Sequence, residues 1–149
     1  MSVGEICNRI VTIVNRDESV LEAAKLMREH HVGDVIVVEA SAGANRPVGI
    51  LTDRDIVLEF AARELKLDEF TVGDAVSGEL LTLAETMSLV DAVTEMSSQG
   101  VRRAPVVDAA GILVGILTVD DIIAILAEEL NKLNTLISMG RRYEQRRRS

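Results

Sequence analysis

The chain has 149 residues, enough for about one globular domain with a sizeable buried core. Nearly half of its residues are apolar, yet it contains no Trp, one Tyr and two Phe, so aliphatic side chains must build the core. No apolar run approaches the roughly 20 residues that cross a bilayer, and no signal-peptide pattern opens the chain. The single cysteine, Cys7, excludes an internal disulfide and fits a reducing compartment, so we expect a cytoplasmic protein.

The net charge of −8 is unevenly distributed along the chain. Five arginines and one glutamate give residues 141–149 a charge of +4, which leaves −12 for residues 1–140. An acidic body with few aromatic residues argues against a nucleic-acid partner, because such partners need basic surface and stacking side chains. We interpret the arginine-rich tail as a solvated, partly disordered terminus, and contact with an anionic surface is the alternative.

The first predicted elements run in the same order in both halves of the chain. A short helical turn, with an acid three residues after its capping residue, opens each half at Ser2 and Thr71. A strand rich in branched residues follows, and then a helix whose apolar positions keep helical spacing. The predicted strands are Ile10–Val14 and Leu80–Leu83, and the helices begin at Ser19 and Ser88 and end at His30-His31 and Gln99-Gly100.

Two further strands and a second helix complete each half. The buried strands are predicted at Val35–Val38 and Ala104–Val107, turns at Ala40–Arg46 and Asp108–Gly111, and the next strands at Val48–Leu51 and Ile112–Leu117. The second helices run from Asp53 to about Leu65 and from Val119 to about Met139. The order strand–helix–strand–strand–helix, found twice, predicts an α/β fold with two small sheets.

The two halves are also related in sequence. Gly49-Ile-Leu-Thr-Asp-Arg-Asp-Ile56 returns 66 residues later as Gly115-Ile-Leu-Thr-Val-Asp-Asp-Ile122, with six of eight residues identical. The earlier elements repeat at an offset of 69, so the first copy carries three extra residues in its Ala40–Arg46 turn. We therefore expect two copies of one unit, residues 2–66 and 67–130, followed by a helical extension and arginine-rich tail at residues 131–149.

A Thr-x-x-Asp motif begins the second helix of each copy, as Thr52 with Asp55 and as Thr118 with Asp121. Such a motif is a capping box, in which threonine and acid satisfy the free backbone groups of the first turn. The same geometry suits a nucleotide, because a helix start attracts phosphate and an acid accepts from ribose hydroxyls. Gly49 and Gly115 would then let the ligand lie close to the strand.

The duplicated Gly-apolar-apolar-Thr-x-x-Asp motif, the strand Pro105-Val-Val-Asp108 and the Val-Gly-acid segments at the head of each copy resemble a pair of CBS domains, the tandem module named after cystathionine β-synthase. The resemblance covers residues 2–130. It implies β-α-β-β-α units packed through their sheets about a pseudo-two-fold axis. It also implies two clefts for adenosine-type ligands such as AMP, ATP or S-adenosylmethionine, and pairing of the modules into dimers.

Position by position, the resemblance implies that Thr52, Asp55, Thr118 and Asp121 are the phosphate-side threonines and ribose-binding acids. Arg54 and the pair Arg102-Arg103 match positions that often contact phosphate, although solvated surface or ion pairing explains them as well. The chain departs from the pattern with Gly33-Asp34 in place of basic residues and with Val119-Asp120 in place of Asp53-Arg54. Carboxylates repel phosphate, so we expect unequal clefts.

The last helix is predicted to outlast its counterpart in the first half. Five apolar residues step by four or three along one face: Ile122, Leu126, Leu130, Leu133 and Ile137. Beyond about Glu129 this stripe needs cover, from the body of the chain or from a second copy. We expect a homodimer, because a two-fold pair covers the stripe with itself.

No catalytic set is evident, since His30 and His31 are the only histidines and no metal-ligand spacing surrounds Cys7. The leading hypothesis is a non-enzymatic ligand sensor without a resident cofactor. It would bind an adenine nucleotide as a regulatory ligand and change its affinity for a regulated protein, whose identity the sequence does not indicate. The alternatives are a structural or dimerisation module with empty clefts and an anion-binding protein acting through the arginine tail.

Overall fold

The computed structural model describes residues 1–76 and 78–148. Residues 1–117 form one compact unit, and a second unit begins at Thr118. The described residues form two three-stranded sheets with helices, which confirms the predicted α/β class.

The first repeat begins with a helical turn and builds its sheet around the second of three strands. Its elements are α1 (Val3–Ile6), β1 (Ile13–Asn15), α2 (Val20–His30), β2 (Asp34–Ser41), β3 (Ala44–Thr52) and α3 (Asp53–Ile56). Strand β2 pairs in parallel with β1 and antiparallel with β3. After α3 the chain makes a π-helical turn at Val57–Ala61 and a 3-10 turn at Leu67–Glu69.

The second repeat follows the same plan, which confirms the predicted order of elements. It comprises α4 (Val72–Ala75), β4 (Leu83–Ala84), α5 (Leu89–Gln99), β5 (Arg103–Val107), β6 (Leu113–Thr118) and α6 (Val119–Arg148). The sheet order is β4-β5-β6, with β4 parallel to β5. The predicted ends of α2 and α5 are also confirmed, because His31 (φ 54°) and Gly100 (φ 67°) terminate them in the left-handed conformation.

The opening helical turn of each repeat docks against the other repeat. The Val3 and Gly4 N–H groups donate to the Met87 and Glu85 carbonyls, both at 2.8 Å. In the same way, the Val72 and Gly73 N–H groups donate to Glu18 and Arg16, at 2.8 and 2.9 Å. A Cβ atom on Gly4 or on Gly73 would lie 2.9 Å from the carbonyl oxygen that its own N–H contacts. The Val-Gly-acid segments are therefore docking segments in which only glycine allows the backbones to meet.

The core consists of aliphatic side chains, as the composition predicts. One cluster joins both repeats, because Val72 of α4 packs with buried residues of β1, α2 and β2 and with Phe60. A second cluster brings Ile36 and Val38 of β2 against Ile116 of β6, so the two sheets pack face to face. The two repeats thus share one hydrophobic interior within residues 1–117.

The prediction of a turn spanning Ala40–Arg46 is wrong. Strands β2 and β3 continue through this segment in register, pairing Glu39 with Arg46 and Ser41 with Ala44. Only Ala42 (φ 51°) and Gly43 (φ 79°) form the turn, with the positive φ angles that tight hairpins favour. The inserted residues lengthen a hairpin, because pairing satisfies their backbone groups better than an open loop would.

The strands predicted at Ile10–Val14 and Leu80–Leu83 begin later than expected, at Ile13 and Leu83. Ile10 is 88% exposed despite its branched side chain. The segment before β1 is occupied elsewhere, since Asn8 exchanges two backbone hydrogen bonds of 2.9 Å with Ile116 of β6. A long-range contact has therefore displaced a local strand preference.

The second helices differ most from their predicted lengths. The first one ends at Ile56 and passes into the π-helical turn, instead of continuing to about Leu65. The last one continues to Arg148, so the interpretation of residues 141–148 as partly disordered is wrong. Arg, Glu and Gln are good helix formers, and Gly140 is the only Gly or Pro between Val119 and Arg148. In the described residues no helix is long and apolar enough to span a membrane.

Candidate functional site

A cavity of about 850 Å³ lies between the two repeats, within residues 1–117. Its lining comes from β3, α3, the π-helical turn, α4 with the segment after it, and the start of β5. Four of the predicted site residues, from two separate stretches of the sequence, line this one cavity: Thr52, Asp55, Arg102 and Arg103.

Thr52 and Asp55 are held by the reciprocal bonds of a capping box. The Asp55 N–H donates to Thr52 Oγ1 at 3.1 Å, and the Thr52 N–H donates to Asp55 Oδ2 at 3.0 Å. Both side chains are partly buried, and neither has used all of its hydrogen-bonding capacity. The Thr52 hydroxyl can still donate its proton, and the Asp55 carboxylate has further lone pairs to accept with. Capping and ligand binding are therefore compatible at this helix start.

The π-helical turn forms an apolar wall of the cavity. The Ala62 and Leu65 N–H groups donate five residues back, to the Val57 and Phe60 carbonyls at 2.8 and 2.9 Å. Phe60 is buried and meets Phe70 edge to face, with ring centroids 5.4 Å apart. The two phenylalanines of the chain thus stand together in the lining.

Charged side chains of both signs surround the cavity. Three arginines and four carboxylates belong to its lining: Arg63, Arg102, Arg103, Asp55, Glu59, Asp74 and Glu79. Arg103 is ion-paired with Asp34, and Arg63 lies 3.8 Å from Glu59. Within residues 1–76 and 78–148, Arg102 makes no ion pair, and neither do Asp55, Asp74 and Glu79. The unpaired charge around the cavity is therefore negative.

Asp34 and Arg103 occupy equivalent positions in the two repeats, 69 residues apart. The acid that replaces a basic residue in the first repeat is the ion-pair partner of the arginine in the second. Both side chains are partly buried: Asp34 is 24% exposed and Arg103 is 38% exposed. The guanidinium group of Arg103 is therefore only partly solvated. Of the three arginines that line the cavity, Arg102 is the one without an ion pair among the described residues.

Arg54 does not line the cavity. It borders a separate shallow depression together with Asp53, Val57 and Leu58. Its N–H donates to Asp53 Oδ1 at 2.8 Å. The structure therefore separates Arg54 from Thr52 and Asp55, although it lies between them in the sequence.

Thr118 and Asp121 belong to the second unit, at the start of α6. The Asp121 N–H donates to Thr118 Oγ1 at 3.2 Å, which repeats one of the two capping bonds seen at Thr52 and Asp55. The threonine cap is thus the same in both copies of the motif, whereas the reciprocal bond is seen at Thr52 and Asp55. The predicted ligand role of Thr118 and Asp121 stays a prediction.

Gly49 lines the cavity, so its role as a close-approach point for a ligand stays a prediction, whereas the same interpretation of Gly115 is wrong. A Cβ atom on Gly49 would lie 2.7 Å from the Val76 side chain. One on Gly115 would lie 2.7 Å from the Asn8 carbonyl oxygen and 2.8 Å from Cys7 Sγ. The space beside each glycine is filled by the segment that follows the other repeat's opening turn, so both glycines serve the packing of the repeats.

The remaining reactive groups form no second site in the described residues. Burial raises the pKa of the Cys7 thiol, with Arg9 opposing the shift, so the thiolate is disfavoured. No cluster of three or more His, Cys, Asp or Glu side chains within residues 1–76 and 78–148 could hold a metal ion.

Sequence reasoning missed several residues of the cavity: Glu59, Phe60, Arg63, Phe70, Asp74 and Glu79. The scarcity of aromatic residues carried a usable signal, since both phenylalanines lie within ten residues of each other and close to the Thr52 motif. The four charged residues carried none, because exposed charges are common in any helix or loop.

The fold and the cavity define a duplicated α/β module with a cleft between its repeats. The profile of the CBS domain matches residues 3–62 and 72–128. The chain therefore belongs to the CBS domain family, as the duplicated motifs predict.

This chain is similar to the following relative and solved structures. Hypoxic response protein 1 of Mycobacterium tuberculosis is 34% identical over 124 residues, covering 83% of this chain and 84% of that protein. A crystal structure of hypoxic response protein I with two coordinated zinc ions matches 83% of this chain and 98% of its own, at 31% identity and a TM-score of 0.71. The CBS domain pair of protein MJ0100, in complex with 5′-methylthioadenosine and S-adenosyl-L-methionine, matches 87% of this chain and 98% of its own, at 25% identity and a TM-score of 0.72. A hexameric CBS-CP12 protein from bloom-forming cyanobacteria matches 83% of this chain and 66% of its own, at 26% identity and a TM-score of 0.70.

Proposed function

We propose that this chain is a non-enzymatic ligand sensor that binds an adenosine-type molecule in the cavity between its repeats. The observation that carries the proposal is the convergence of Thr52, Asp55, Arg102 and Arg103 on one cavity. A volume of about 850 Å³ lies within the usual range for small-molecule sites. The MJ0100 domain pair, with two adenosine-type ligands bound, supports the choice of ligand class.

The chemistry of the lining assigns a role to each group. The Asp55 carboxylate accepts from the two ribose hydroxyls, and the Thr52 hydroxyl donates to a phosphate or to the 5′ substituent. The adenine ring packs on the apolar wall that includes Val48, Phe60 and Phe70. Arg102, which has no ion pair among the described residues, meets any negative charge that the ligand carries.

Ligand binding would act as a signal because both repeats contribute to the cavity. A ligand that contacts β3 and α3 of one repeat and Arg102 of the other stiffens their mutual arrangement. A partner protein that prefers one arrangement then binds with a changed affinity. A competing function is a structural module whose Thr-x-x-Asp motifs only cap helices, and the complete capping box at Thr52 favours it.

A thermal-denaturation series with adenosine-type ligands tests the proposed function. Ligands that bind only the folded state raise the melting temperature, and a concentration 100 times Kd adds about 2.7 kcal/mol to the free energy of unfolding. We expect a rise with AMP or S-adenosylmethionine and none with GMP at equal concentration. If AMP, ATP and S-adenosylmethionine at millimolar concentration all leave the melting temperature unchanged, the structural module is the correct reading.

The charge of the lining predicts an order among these ligands. Asp55, Asp74 and Glu79 are unpaired within the described residues and only Arg102 opposes them, so each added phosphate meets repulsion. We expect isothermal titration calorimetry to give AMP and S-adenosylmethionine a lower Kd than ATP, by roughly ten-fold for a difference of about 1.4 kcal/mol. Measurement at 50 and 300 mM salt is the control, since screening should narrow the gap. ATP binding more tightly at both salt concentrations would contradict this charge argument.

The sensor is also proposed to be a homodimer. The CBS-CP12 protein, which shares the fold, is hexameric, so self-association occurs among similar proteins. In this chain, the exposed apolar residues of α6 are the feature that favours it. Leu126, Leu130, Leu133 and Ile137 are 49%, 66%, 55% and 55% exposed, a costly arrangement for four large side chains on one face.

A further inference from the structure

The exposed apolar face of α6 has the spacing of a coiled-coil seam. Ile122 is only 5% exposed, whereas its neighbour Ile123 is 59% exposed, so the exposed stripe begins one residue later than the sequence predicts. The seam then runs through five residues: Ile123, Leu126, Leu130, Leu133 and Ile137. Their steps of three, four, three and four residues form the heptad pattern that packs knobs into holes against another helix.

The charges of α6 are segregated along its length. Between Val119 and Leu130 there are four acids and no basic residue: Asp120, Asp121, Glu128 and Glu129. Between Gly140 and Arg148 there are five arginines and one acid. Helix-dipole stabilisation accounts only for charges in the first and last turns. Glu129 is paired with Lys132 of the same helix at 3.0 Å. Arg141 and Arg142 lie two turns from the end, so the dipole does not explain these two arginines.

We propose that α6 pairs with α6 of a second copy of this chain as an antiparallel two-helix coiled coil. This inference rests on the self-association part of the proposed function and specifies its surface and its orientation. In an antiparallel pair the acidic first turn of each helix lies beside the first arginines after Gly140 of the other helix. A parallel pair would put arginine beside arginine and acid beside acid, which repels.

Aligning the apolar residues sets the register of the pair. Leu130 packs against Leu133 of the second copy, and Leu126 packs against Ile137, each contact occurring twice about the two-fold axis. Ile123 then meets Gly140, where a small residue leaves room for a branched one. In this register Asp120, which flanks the seam, lies near Arg141 of the other helix, whereas Asp121 and Arg142 lie on the face opposite the seam. Leu136 and Tyr143, which are 65% and 62% exposed, flank the seam and widen its apolar surface.

The orientation can be measured by the distance between two spin labels. The full chain carries Cys7→Ser, which removes the single native cysteine, and Gln145→Cys, which places one label near the end of each α6. At 1.5 Å rise per residue, the antiparallel register separates the two labels by about 40 Å, whereas a parallel pair brings them within roughly 15 Å. A distance near 40 Å is the expected result, and a short distance overturns the proposal.

Two variants test the surface itself by sedimentation equilibrium. Leu130→Asp with Leu133→Asp should raise the dimer dissociation constant at least about 100-fold, since each substitution is met twice. Thr135→Asp, on the opposite face of the same helix, is the matched control and should leave the constant within about two-fold. Circular dichroism and the melting temperature of each variant show whether residues 1–117 remain folded.

Charge exchange gives an independent test of the orientation. Arg141→Glu should weaken the dimer about ten-fold at low salt, because its contact with Asp120 occurs twice in the pair, and adding Asp120→Arg in the same chain should restore most of the affinity. A parallel pair would respond to neither change.

If the wild type is a monomer at high micromolar concentration, or if dimers survive Leu130→Asp with Leu133→Asp, the proposal is overturned. Ligand binding in the cavity is measured separately by the melting-temperature series, so either result leaves the sensor function standing.

Discussion

Gly115→Ala is expected to lower the free energy of unfolding by about 3 kcal/mol, the upper part of the range for overpacking a well-packed site. The new methyl group would lie 2.7 Å from the Asn8 carbonyl oxygen and 2.8 Å from Cys7 Sγ. Moving Asn8 away from the new methyl group would cost free energy, because Asn8 exchanges two backbone hydrogen bonds of 2.9 Å with Ile116. Each bond contributes about 1 kcal/mol, so moving Asn8 replaces the clash with a loss of similar size.

Gly140→Ala is the matched control for this prediction. Within one chain nothing lies within 4 Å of a Cβ atom at Gly140, and the residue is inside a helix, where alanine is favoured over glycine by about 1 kcal/mol. Both glycine variants are compared in the Leu130→Asp with Leu133→Asp background, so that the proposed pairing of α6 does not contribute. Urea denaturation monitored by circular dichroism should therefore show opposite shifts for the two glycine-to-alanine changes. A Gly115→Ala protein as stable as the wild type would mean that the segment of Cys7 and Asn8 does not dock against β6 as described.

The elements that the sequence predicts correctly are those specified by local signals. The capping serines Ser19 and Ser88, which accept from Glu22 and Asp91 at 3.1 Å, mark the starts of α2 and α5. The repeated motif identifies the duplication, and the apolar runs identify the central strands β2 and β5. These features depend on residues close together in the chain, so one sequence is enough to find them.

The features that the sequence does not predict depend on contacts between distant residues. The exchange of opening turns joins Val3 to Met87 and Val72 to Glu18, and no local pattern announces either contact. The ion pair of Asp34 with Arg103 is of the same kind. From the sequence alone, Asp34 stands where the family pattern has a basic residue, so it predicts a weaker phosphate site. In the structure it is the ion-pair partner of Arg103, which leaves Arg102 as the neighbouring arginine without an ion pair among the described residues.

The candidate site shows the same division. Thr52 and Asp55 are predicted by their motif, and their capping bonds follow from four consecutive residues. The aromatic wall depends on the π-helical turn, since the added residue of that turn changes which side chains of residues 57–65 face the cavity. A regular helix, the only element that the spacing predicts there, would direct Phe60 and Arg63 elsewhere.

Asp55→Asn is expected to weaken the binding of an adenosine-type ligand by roughly ten- to a hundred-fold, while the free energy of unfolding changes by less than about 0.5 kcal/mol. A hydrogen bond to a charged partner contributes about 1.5–3 kcal/mol, and the substitution removes the charge that faces the ribose hydroxyls. The capping bond survives, because the asparagine side-chain oxygen can still accept from the Thr52 N–H that now donates to Asp55 at 3.0 Å. Titration calorimetry with AMP and urea denaturation measure the two quantities on the same protein.

Asp53→Asn supplies the control that separates binding from capping. Asp53 lies in the same helical turn and loses the same charge, so its effect on the helix dipole is matched, but it borders the shallow depression beside Arg54 instead of the cavity. Its affinity for AMP should stay within about three-fold of the wild type, a difference of less than about 0.7 kcal/mol. Equal losses of affinity in both variants would trace the effect to the charge of the helix start. Unchanged affinity in Asp55→Asn, together with a loss of stability, would mean that the Thr52 and Asp55 pair only caps α3 and that the ribose lies elsewhere.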